Sequence, residues 1–278
     1  MKASLSLLIL IAATSGIASA TDSGAQGSSG GVLEYGIGVT NLSFPHYPGS
    51  DQSHVLTLPF PFLSYYSEKL ELDGAELQGR LWRGDYWTLD ISTGGALPVD
   101  ADDNEAREGM DDLHWMGEVG PALRYSPEWS QVSPDWQFRL TLPLRQTIEA
   151  DGLDFTGRGW VFIPNLHAKR DIQFGDHRWE LQSSIGLRYS SQRYHQHFYG
   201  VPADQVTADR PAYDASQGLT AYNVSLGLSW RREQWWIGGF IWHYDYSDSA
   251  VRDSPLLRDL RQQSIGLSAA YILGERRF

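Results

Sequence analysis

Strict alternation of apolar and polar side chains constrains this chain more than any other feature, and it is clearest at residues 135–146, DWQFRLTLPLRQ. Apolar side chains from Trp136 to Leu144 take every second position, and Arg139 and Arg145 lie in the opposite phase. A period of two over about ten residues predicts a β-strand with one apolar and one polar face. The apolar face meets either the core of a soluble sandwich or the lipid around an outer-membrane barrel, and this strand alone does not distinguish the two.

About eleven segments repeat this alternation, and no long segment has a helical period, so the sequence predicts one all-β domain. Many segments run for about ten residues, which suits a tilted membrane strand of roughly 9–11 residues better than a soluble strand of roughly 5–6. The opposite phase is polar, as a wet lumen requires. Because single-chain bacterial barrels have even strand numbers, we expect a transmembrane antiparallel β-barrel of the outer-membrane type with about 12 strands, 10–12 being compatible with the pattern. The predicted lipid faces include Tyr35, Ile37, Val39, Trp87, Leu89, Ile91, Leu140, Leu142, Ile185, Leu187, Val224, Leu226, Ile265 and Leu267.

The connections between segments alternate in length, as they do in outer-membrane barrels with short periplasmic turns and longer outside loops. Short turns are predicted at residues 83–85, 175–176 and 232–233, and longer polar loops at residues 98–112, 201–217 and 247–261. This places the C-terminus in the periplasm. The first hairpins are out of step, because the apolar phase slips at Asp73 and Gly74, and that dipeptide is either a bulge or an extra turn.

The beginning of the chain has the pattern of a secretory signal peptide, because a basic residue, a short apolar run and a run of small residues precede residue 21. The apolar run is shorter than the roughly 20 residues that a membrane-spanning helix needs. The chain contains no cysteine, so packing and strand pairing must stabilise it. The predicted organisation is a cleaved signal peptide at residues 1–20, a flexible Gly/Ser-rich lead-in at 21–31 and one barrel domain at 32–278.

Composition excludes one class of partner and is compatible with a membrane. A net charge of −12 opposes nucleic-acid binding, which needs basic patches, so we expect no nucleic-acid partner. The mean hydropathy of −0.36 resembles that of a soluble protein, but a barrel gives such values too, since only alternate residues are apolar. The 11 Trp and 14 Tyr favour outer-membrane lipid as a partner, because these rings gather at both membrane interfaces.

Two patterns resemble metal sites without completing one. Residues 100–112, DADDNEAREGMDD, begin like a calcium loop, but Glu105 replaces the glycine of the turn and Asp111 replaces the bidentate glutamate. His195 and His197 share one face of a segment predicted to be extended, yet no carboxylate or cysteine completes a ligand set at a recognisable spacing. We therefore expect a solvated acidic loop and hydrogen-bonded surface histidines, with no metal and no other cofactor.

No motif identifies an active site. Arg83-Gly84-Asp85 spells an integrin-recognition tripeptide, but Gly-Asp is also what a tight hairpin turn requires. The chain has no G-x-S-x-G, HExxH or phosphate-loop motif. The triad residues of a hydrolase can be dispersed along the sequence, which keeps an outer-membrane hydrolase as a third hypothesis, but we assign no residue a catalytic role.

Several short motifs in a fixed order are similar to those of the MipA/OmpV family of outer-membrane proteins. They are FPHYPGSDQ, LPFPFLSY, REGMDDL, HFYGVPADQ, YDASQGLTAYNVSLGLSWR and DSPLLRD, and they span roughly residues 33–273. The residues that carry the match have no assigned role; they are Pro45, Tyr47, Gly49, Ser50, Asp51, Gly109, Met110, Asp111, Asp112, Tyr199, Gly200, Val201, Ser254 and Pro255.

The resemblance implies an outer-membrane β-barrel, and the family's named member implies a non-enzymatic scaffold that links a murein transglycosylase to a penicillin-binding protein. Other members are associated with antibiotic response, osmotic response or adhesion. A small porin-like channel or an envelope-stress barrel is therefore the alternative. Barrels of this kind usually end on an aromatic residue; here Tyr271 ends the alternating run and Phe278 ends the chain, and either is a candidate assembly signal.

Overall fold

The computed structural model of the chain describes residues 32–66, 70–73, 76–127 and 135–277, which form one antiparallel sheet of thirteen strand segments. The strand segments are β1 Val32–Pro45, β2 Ser53–Tyr66, β3 Leu70–Asp73, β4 Glu76–Arg83, β5 Trp87–Ala96, β6 Trp115–Tyr125, β7 Gln137–Asp151, β8 Asp154–Phe162, β9 Asn165–Phe174, β10 His177–Ser190, β11 Gly218–Arg232, β12 Trp235–Asp245 and β13 Arg261–Arg277. In the described connections lie one helix, α1 Gln192–Tyr199, and 3-10 turns at Ala101–Asp103 and Ala203–Gln205.

The sheet closes into a barrel, because the last strand, β13, pairs with the first, β1, and β10 pairs with β11, so that the pairing runs round without an end. β8 and β9 are two halves of one strand, since β7 pairs Leu144 with Phe162 of β8 and Thr141 with Asn165 of β9 in the same register. The break falls at Pro164, which has no N–H to donate. The thirteen segments therefore form twelve strands, which confirms the predicted barrel and its even strand number.

Of the two explanations for the slip in apolar phase at Asp73 and Gly74, the structure supports the extra turn. Asp73 of β3 pairs with Glu76 of β4, so the chain reverses direction between them; Gly74 itself lies outside the described residues. Our count of about eleven strands was too low because β3 has only four residues and is too short to show a period. With this strand included, the predicted short turns at 83–85, 175–176 and 232–233 all fall at one end of the barrel and the predicted long loops at the other. The alternation in length is broken by the longer connection at residues 126–136 and the short one at 152–153.

The two side-chain phases separate as the alternation predicts. Outward positions of β1 are exposed, with Ile37 at 63% and Val39 at 49%. Thr40, which lies in the opposite, inward phase of the same strand, is buried. In β7, Leu144 is exposed on the outside and Arg145 bonds to side chains inside the barrel. An outward apolar band and inward arginines are what a lipid-facing barrel requires.

The two ends of the barrel differ in their connections, and we call them the loop end and the turn end. The loop end carries the connections at 46–52, 74–75, 97–114, 152–153, 191–217 and 246–260. The turn end carries those at 67–69, 84–86, 126–136, 175–176 and 233–234, together with Val32 and Arg277. The turn predicted at Arg83-Gly84-Asp85 lies here, where the Gly84 N–H donates to the Trp87 carbonyl at 2.8 Å.

Several predictions concern the ends of the chain. The predicted signal peptide, the lead-in and Phe278 all lie outside the described residues. β13 continues beyond Tyr271, where the alternating run ends, to Arg277 and pairs with β1 over that length. The choice between Tyr271 and Phe278 as the assembly signal stays a prediction. Within the described ranges, no helix is both long and apolar enough to cross a bilayer.

Candidate functional site

The helix α1 enters the loop end of the barrel and is fixed at both termini. The Ser191 hydroxyl accepts hydrogen bonds from the N–H groups of Tyr194 at 3.4 Å and Trp160 at 3.0 Å, as an N-cap side chain does. At the other end, the Gly200 N–H donates to the Gln196 carbonyl at 3.0 Å. The extended conformation that we predicted around His195 is therefore wrong.

Packing rather than intrinsic propensity stabilises this helix, because isolated helices of about eight residues are marginal. Its buried aromatic rings belong to one cluster with residues of four loops and of several strand ends. We call α1 together with loops 46–52, 97–114, 200–217 and 246–260 the cap. The buried core of the cap contains Tyr47, Val99, Leu113, Met116, Val161, Tyr194, Phe198, Tyr199, Ala215, Ala221, Tyr246, Val251 and Leu257. The cap closes the loop end.

The residues that carry the family resemblance, distant in sequence, meet in this cap. The Tyr47 hydroxyl donates to the Leu256 carbonyl at 2.8 Å, and burial raises the pKa of Tyr47 to about 12. The Ser254 hydroxyl donates to the Tyr199 carbonyl at 2.7 Å. Val201 pairs with Tyr213 as an isolated bridge. These contacts join loop 46–52 to loop 246–260, and loop 246–260 to α1.

Residues 45–51 need their exact backbone shape. Pro45 ends β1, and Gly49 has a φ of +86°, where a Cβ would lie 2.1 Å from Leu257 Cδ1. The Ser50 hydroxyl is buried and accepts from Asn104 Nδ2 at 3.1 Å. Asp51, in contrast, is about half exposed and lies 3.7 Å from an equally exposed arginine, a contact that contributes little.

The acidic loop uses its carboxylates as hydrogen-bond acceptors. Asp112 Oδ1 accepts from the Ala101 N–H at 2.8 Å, and Asp111 Oδ2 accepts from Gln205 Nε2 at 3.0 Å. The Met110 N–H donates to the Arg107 carbonyl, and Gly109 before it has a φ of +74°. Within the part of the chain that the structure describes, no group of three or more side chains could hold a metal ion.

Two buried arginines, which the sequence did not single out, hold the loops of the cap together. Arg107 Nη1 donates to the Phe198 carbonyl at 3.4 Å, and its guanidinium lies 5.7 Å from the centre of the Tyr47 ring. Arg210 Nη1 donates to the carbonyls of Ala106 and Glu108, both at 3.0 Å. The remaining motif residue, Pro255, is half-buried between two buried neighbours.

His195 belongs to a hydrogen-bonded chain that resembles part of a catalytic triad. Its Nδ1 lies 2.6 Å from the Ser216 carbonyl and its Nε2 lies 2.8 Å from Thr220 Oγ1, which in turn lies 2.7 Å from Ser190 Oγ. A carbonyl takes the place of the triad carboxylate. His195, Thr220 and Ser190 are all 0% exposed, so this series of hydrogen bonds lies inside the protein, where it fastens α1 to β10 and β11.

His197 points away from His195, so the two do not form the shared face that we predicted. Its ring Nε2 lies 3.7 Å from Glu149, and its side chain is 7% exposed, which makes it a buried rather than a surface group. Burial lowers the pKa of His197 to about 4, although the Glu149 carboxylate opposes the shift. This histidine is therefore neutral near pH 7.

Beneath the cap, one carboxylate is shared by two arginines inside the barrel. Glu118 Oε2 accepts from Arg145 Nη1 at 3.2 Å, and Glu118 Oε1 accepts from Arg188 Nη2. Arg145 also donates to Ser92 Oγ, and Arg188 lies 4.9 Å from the centre of the Tyr194 ring. We did not single out Glu118 from the sequence, although its place in the lumen phase of β6 was a usable signal.

The opposite wall of the lumen, formed by β1, β2, β12 and β13, is apolar. It contains Leu42, Phe62, Trp236, Phe240, Ala270 and Ile272, with Phe44, Phe60 and Trp242 packed against them. The prediction of a polar lumen face is therefore right for the wall from β5 to β10 and wrong for this apolar wall. A cavity of about 210 Å³ lies between the two walls under the cap, and its lining includes Leu42, Phe44, Tyr47, Arg188, Trp242 and Gln262.

A twelve-stranded barrel with an outward apolar band and long loops at one end defines an outer-membrane β-barrel protein. Residues 37–273 match the family model described as MltA-interacting protein MipA, so the chain belongs to the MipA family. It is also similar to the outer membrane protein Omp26La of Vibrio anguillarum, with 30% identity over 224 residues that cover 80% of this chain and 79% of that protein.

Among solved structures, the chain is similar to the NanC porin, with a TM-score of 0.35 and 12% identity, covering 86% of this chain and 98% of that one. It is also similar to the translocator domain of the autotransporter NalP from Neisseria meningitidis, with a TM-score of 0.35 and 9% identity, covering 89% of this chain and 90% of that one.

Proposed function

We propose that the protein is a non-enzymatic interaction protein of the outer membrane, exported with a cleaved signal peptide, that holds murein enzymes at its periplasmic end. The observation that carries this proposal is the closed lumen. α1 packs into the loop end, and below it Arg145 and Arg188 both donate to Glu118 inside the barrel. A barrel closed in this way acts through its surface rather than by passing solutes.

The partner class follows from the family description, MltA-interacting protein, which names a protein contact. A murein transglycosylase, together with a penicillin-binding protein, is the partner that we propose. Murein lies in the periplasm, so these enzymes would meet the turn end of the barrel. There the exposed side chains of Arg83, Asp85, Asp176 and Glu233 surround the strand ends.

The test is recovery of murein enzymes from envelope extracts by the purified barrel in nanodiscs. Reversal of charge at the turn end, Arg83→Glu with Asp85→Lys, should lower the recovered murein transglycosylase. The matched control reverses exposed charges at the loop end, Asp102→Lys with Glu105→Lys, and should leave recovery unchanged. Recovery no higher than that of an unrelated barrel would refute the proposal.

A small porin-like channel is the alternative, and the cavity of about 210 Å³ is the observation that favours it. Conductance in a planar bilayer separates the two functions. The interaction protein should give no regular current steps, because the cap and the charged network obstruct the lumen. Steps that persist at steady voltage would support the channel instead.

A further inference from the structure

The barrel wall has a gap on its loop-end side between β2 and β5. β3 pairs with β2 only at Ser64–Tyr66, and β4 pairs with β5 only from Thr88 to Ile91. β3 ends at Asp73 and β4 begins at Glu76, and these two residues pair with each other, so neither strand reaches further. Among the described residues, no strand therefore lies between residues 53–63 of β2 and residues 92–96 of β5.

Two prolines adapt the edge of β2 to this gap. The register of β2 with β1 is unbroken through Pro59 and Pro61, so the N–H groups that bond to β1 belong to the alternate residues. The backbone nitrogens of the two prolines therefore face the gap, and neither carries a hydrogen to donate. A strand added to this edge would miss two hydrogen bonds. The edge is therefore poorly suited to a second copy of the chain or to an extended peptide.

β2, like β12, carries apolar side chains on both faces. Outside, Val55 is 67% exposed. Inside, Leu58 and Phe60 are half-buried, and the Phe60 ring lies so close to Gly38 of β1 that a Cβ there would be 2.6 Å away. The inner face of β2 thus continues the apolar wall up to the edge of the gap. Apolar side chains on both faces suit a strand with apolar surroundings on both sides.

The cavity reaches from the loop-end part of β1 to the end of β5, the two strands on either side of β2 and the gap. Leu42–Pro48, next to β2, line one side of it, and Gly95–Leu97, at the end of β5, line another. Its volume of about 210 Å³ exceeds the roughly 150 Å³ of an engineered apolar cavity that holds benzene. An alkyl chain that passes between β2 and β5 would therefore reach an apolar space of sufficient size.

The path from the gap into the cavity ends at positively charged side chains. Arg188 lines the cavity, and with Arg145 it shares the single carboxylate of Glu118, so the three groups together carry a net charge of +1. Within the described chain, Arg188 Nε has no hydrogen-bond partner. An anionic headgroup beside Arg188 would balance the charge.

We propose that a single-chain anionic amphiphile, such as a long-chain carboxylate, enters the barrel laterally from the membrane between β2 and β5. Its alkyl chain lies on the apolar wall at Leu42, Phe60 and Phe240, and its headgroup meets Arg188. This site stands apart from the periplasmic end and does not depend on the interaction role proposed above.

Photo-crosslinking of the full barrel in phosphatidylcholine nanodiscs tests this site. Dodecanoate and dodecanol, each with a diazirine on the chain, are irradiated with the protein, and labelled positions are mapped by mass spectrometry. Dodecanoate should label lumen positions such as Phe60, and excess unlabelled dodecanoate should compete. Arg188→Met should lower lumen labelling by dodecanoate about tenfold, the effect of losing one charged hydrogen bond, and leave dodecanol labelling unchanged.

A second pair of variants tests the apolar wall. Leu58→Gln, inside β2, should lower labelling by both probes, while Thr57→Gln, its outward neighbour, should change neither. The heat-dependent gel shift of a closed barrel reports folding, and mapping on the unaltered protein decides the question where a variant fails to fold. Labelling confined to outward positions such as Val55 would overturn the lumen site. Equal lumen labelling by acid and alcohol, insensitive to Arg188→Met, would overturn the anionic class.

Discussion

Glu118→Gln tests the charge balance of the lumen most directly. Glu118 lies between Arg145 and Arg188, bonds to both, and has a side chain that is only 5% exposed. The change keeps the shape of the side chain and removes its charge. Two guanidinium groups then remain in the lumen without the carboxylate that they share.

The structure sets the expected size of this effect. Removing one partner of a buried ion pair costs about 3–5 kcal/mol, because the other charge stays buried and uncompensated. The side chains of Arg145 and Arg188 keep 16% and 20% exposure, so water retains part of their hydration and the lower end of the range applies. We expect a loss of about 3 kcal/mol in the free energy of unfolding, which is about a hundredfold in the folding equilibrium.

Two comparisons make the prediction specific to the shared carboxylate. Arg145→Met should cost less than Glu118→Gln, because it leaves Glu118 and Arg188 as a balanced pair. Glu108→Gln removes an exposed carboxylate from the cap and should stay within about 0.5 kcal/mol of the unaltered protein.

The assay is guanidinium unfolding of the barrel in dilauroylphosphatidylcholine vesicles, followed by tryptophan fluorescence and by the gel shift of folded barrels. Equal stability of Glu118→Gln and Glu108→Gln would refute the reasoning. So would a larger loss for Arg145→Met than for Glu118→Gln, because the arginine rather than the carboxylate would then carry the stability.

Three further outcomes follow from single side chains. Leu144→Arg, on the lipid face at the middle residue of β7, should weaken folding into vesicles by about 2–4 kcal/mol, and Thr141→Arg on the lumen face should cost much less; equal costs would contradict the assignment of faces. Gly49→Ala should strain the cap through its φ of +86° and its contact with Leu257, so hydrogen exchange should rise in the cap and not in the strands. The pKa of His197 is about 4 in the fold and 6.5 without it, so the folded cap binds fewer protons and loses stability as pH falls from 6.5 to 4. Protection of the α1 amides, corrected for intrinsic exchange, should fall over that window, and constant protection would argue against this role of His197.

The side-chain faces of the strands could be predicted because a period of two assigns every residue to one side. The alternation alone assigns Ile37 to the lipid face and Arg145 to the lumen face, and both side chains lie there. Strand number was harder, since β3 has four residues and a period needs more than that to show. The interruption at Pro164 posed no such problem, because both halves keep one register with β7.

The cap could not be predicted from local pattern. Its helix has eight residues, too few for propensity to decide, and its aromatic residues pack against loops far away in sequence. Ser191 before the helix and the pair Tyr194 and Phe198, one turn apart, were the available signals. The motif residues were named without a role for the same reason, since Tyr47 and Ser254 acquire partners only when distant loops meet.

LPFPFLSY, within β2, shows how one segment can carry two signals that conflict in a soluble protein. Apolar side chains on both faces indicate a central, buried strand. Pro59 and Pro61 exclude a central strand, because each removes an N–H that a second neighbour would need. A barrel with a lateral gap satisfies both signals, since β2 has lipid outside, the apolar wall inside and one edge without a partner. The slip in apolar phase at Asp73 and Gly74, which made the first hairpins hard to count from the sequence, therefore occurs next to the gap.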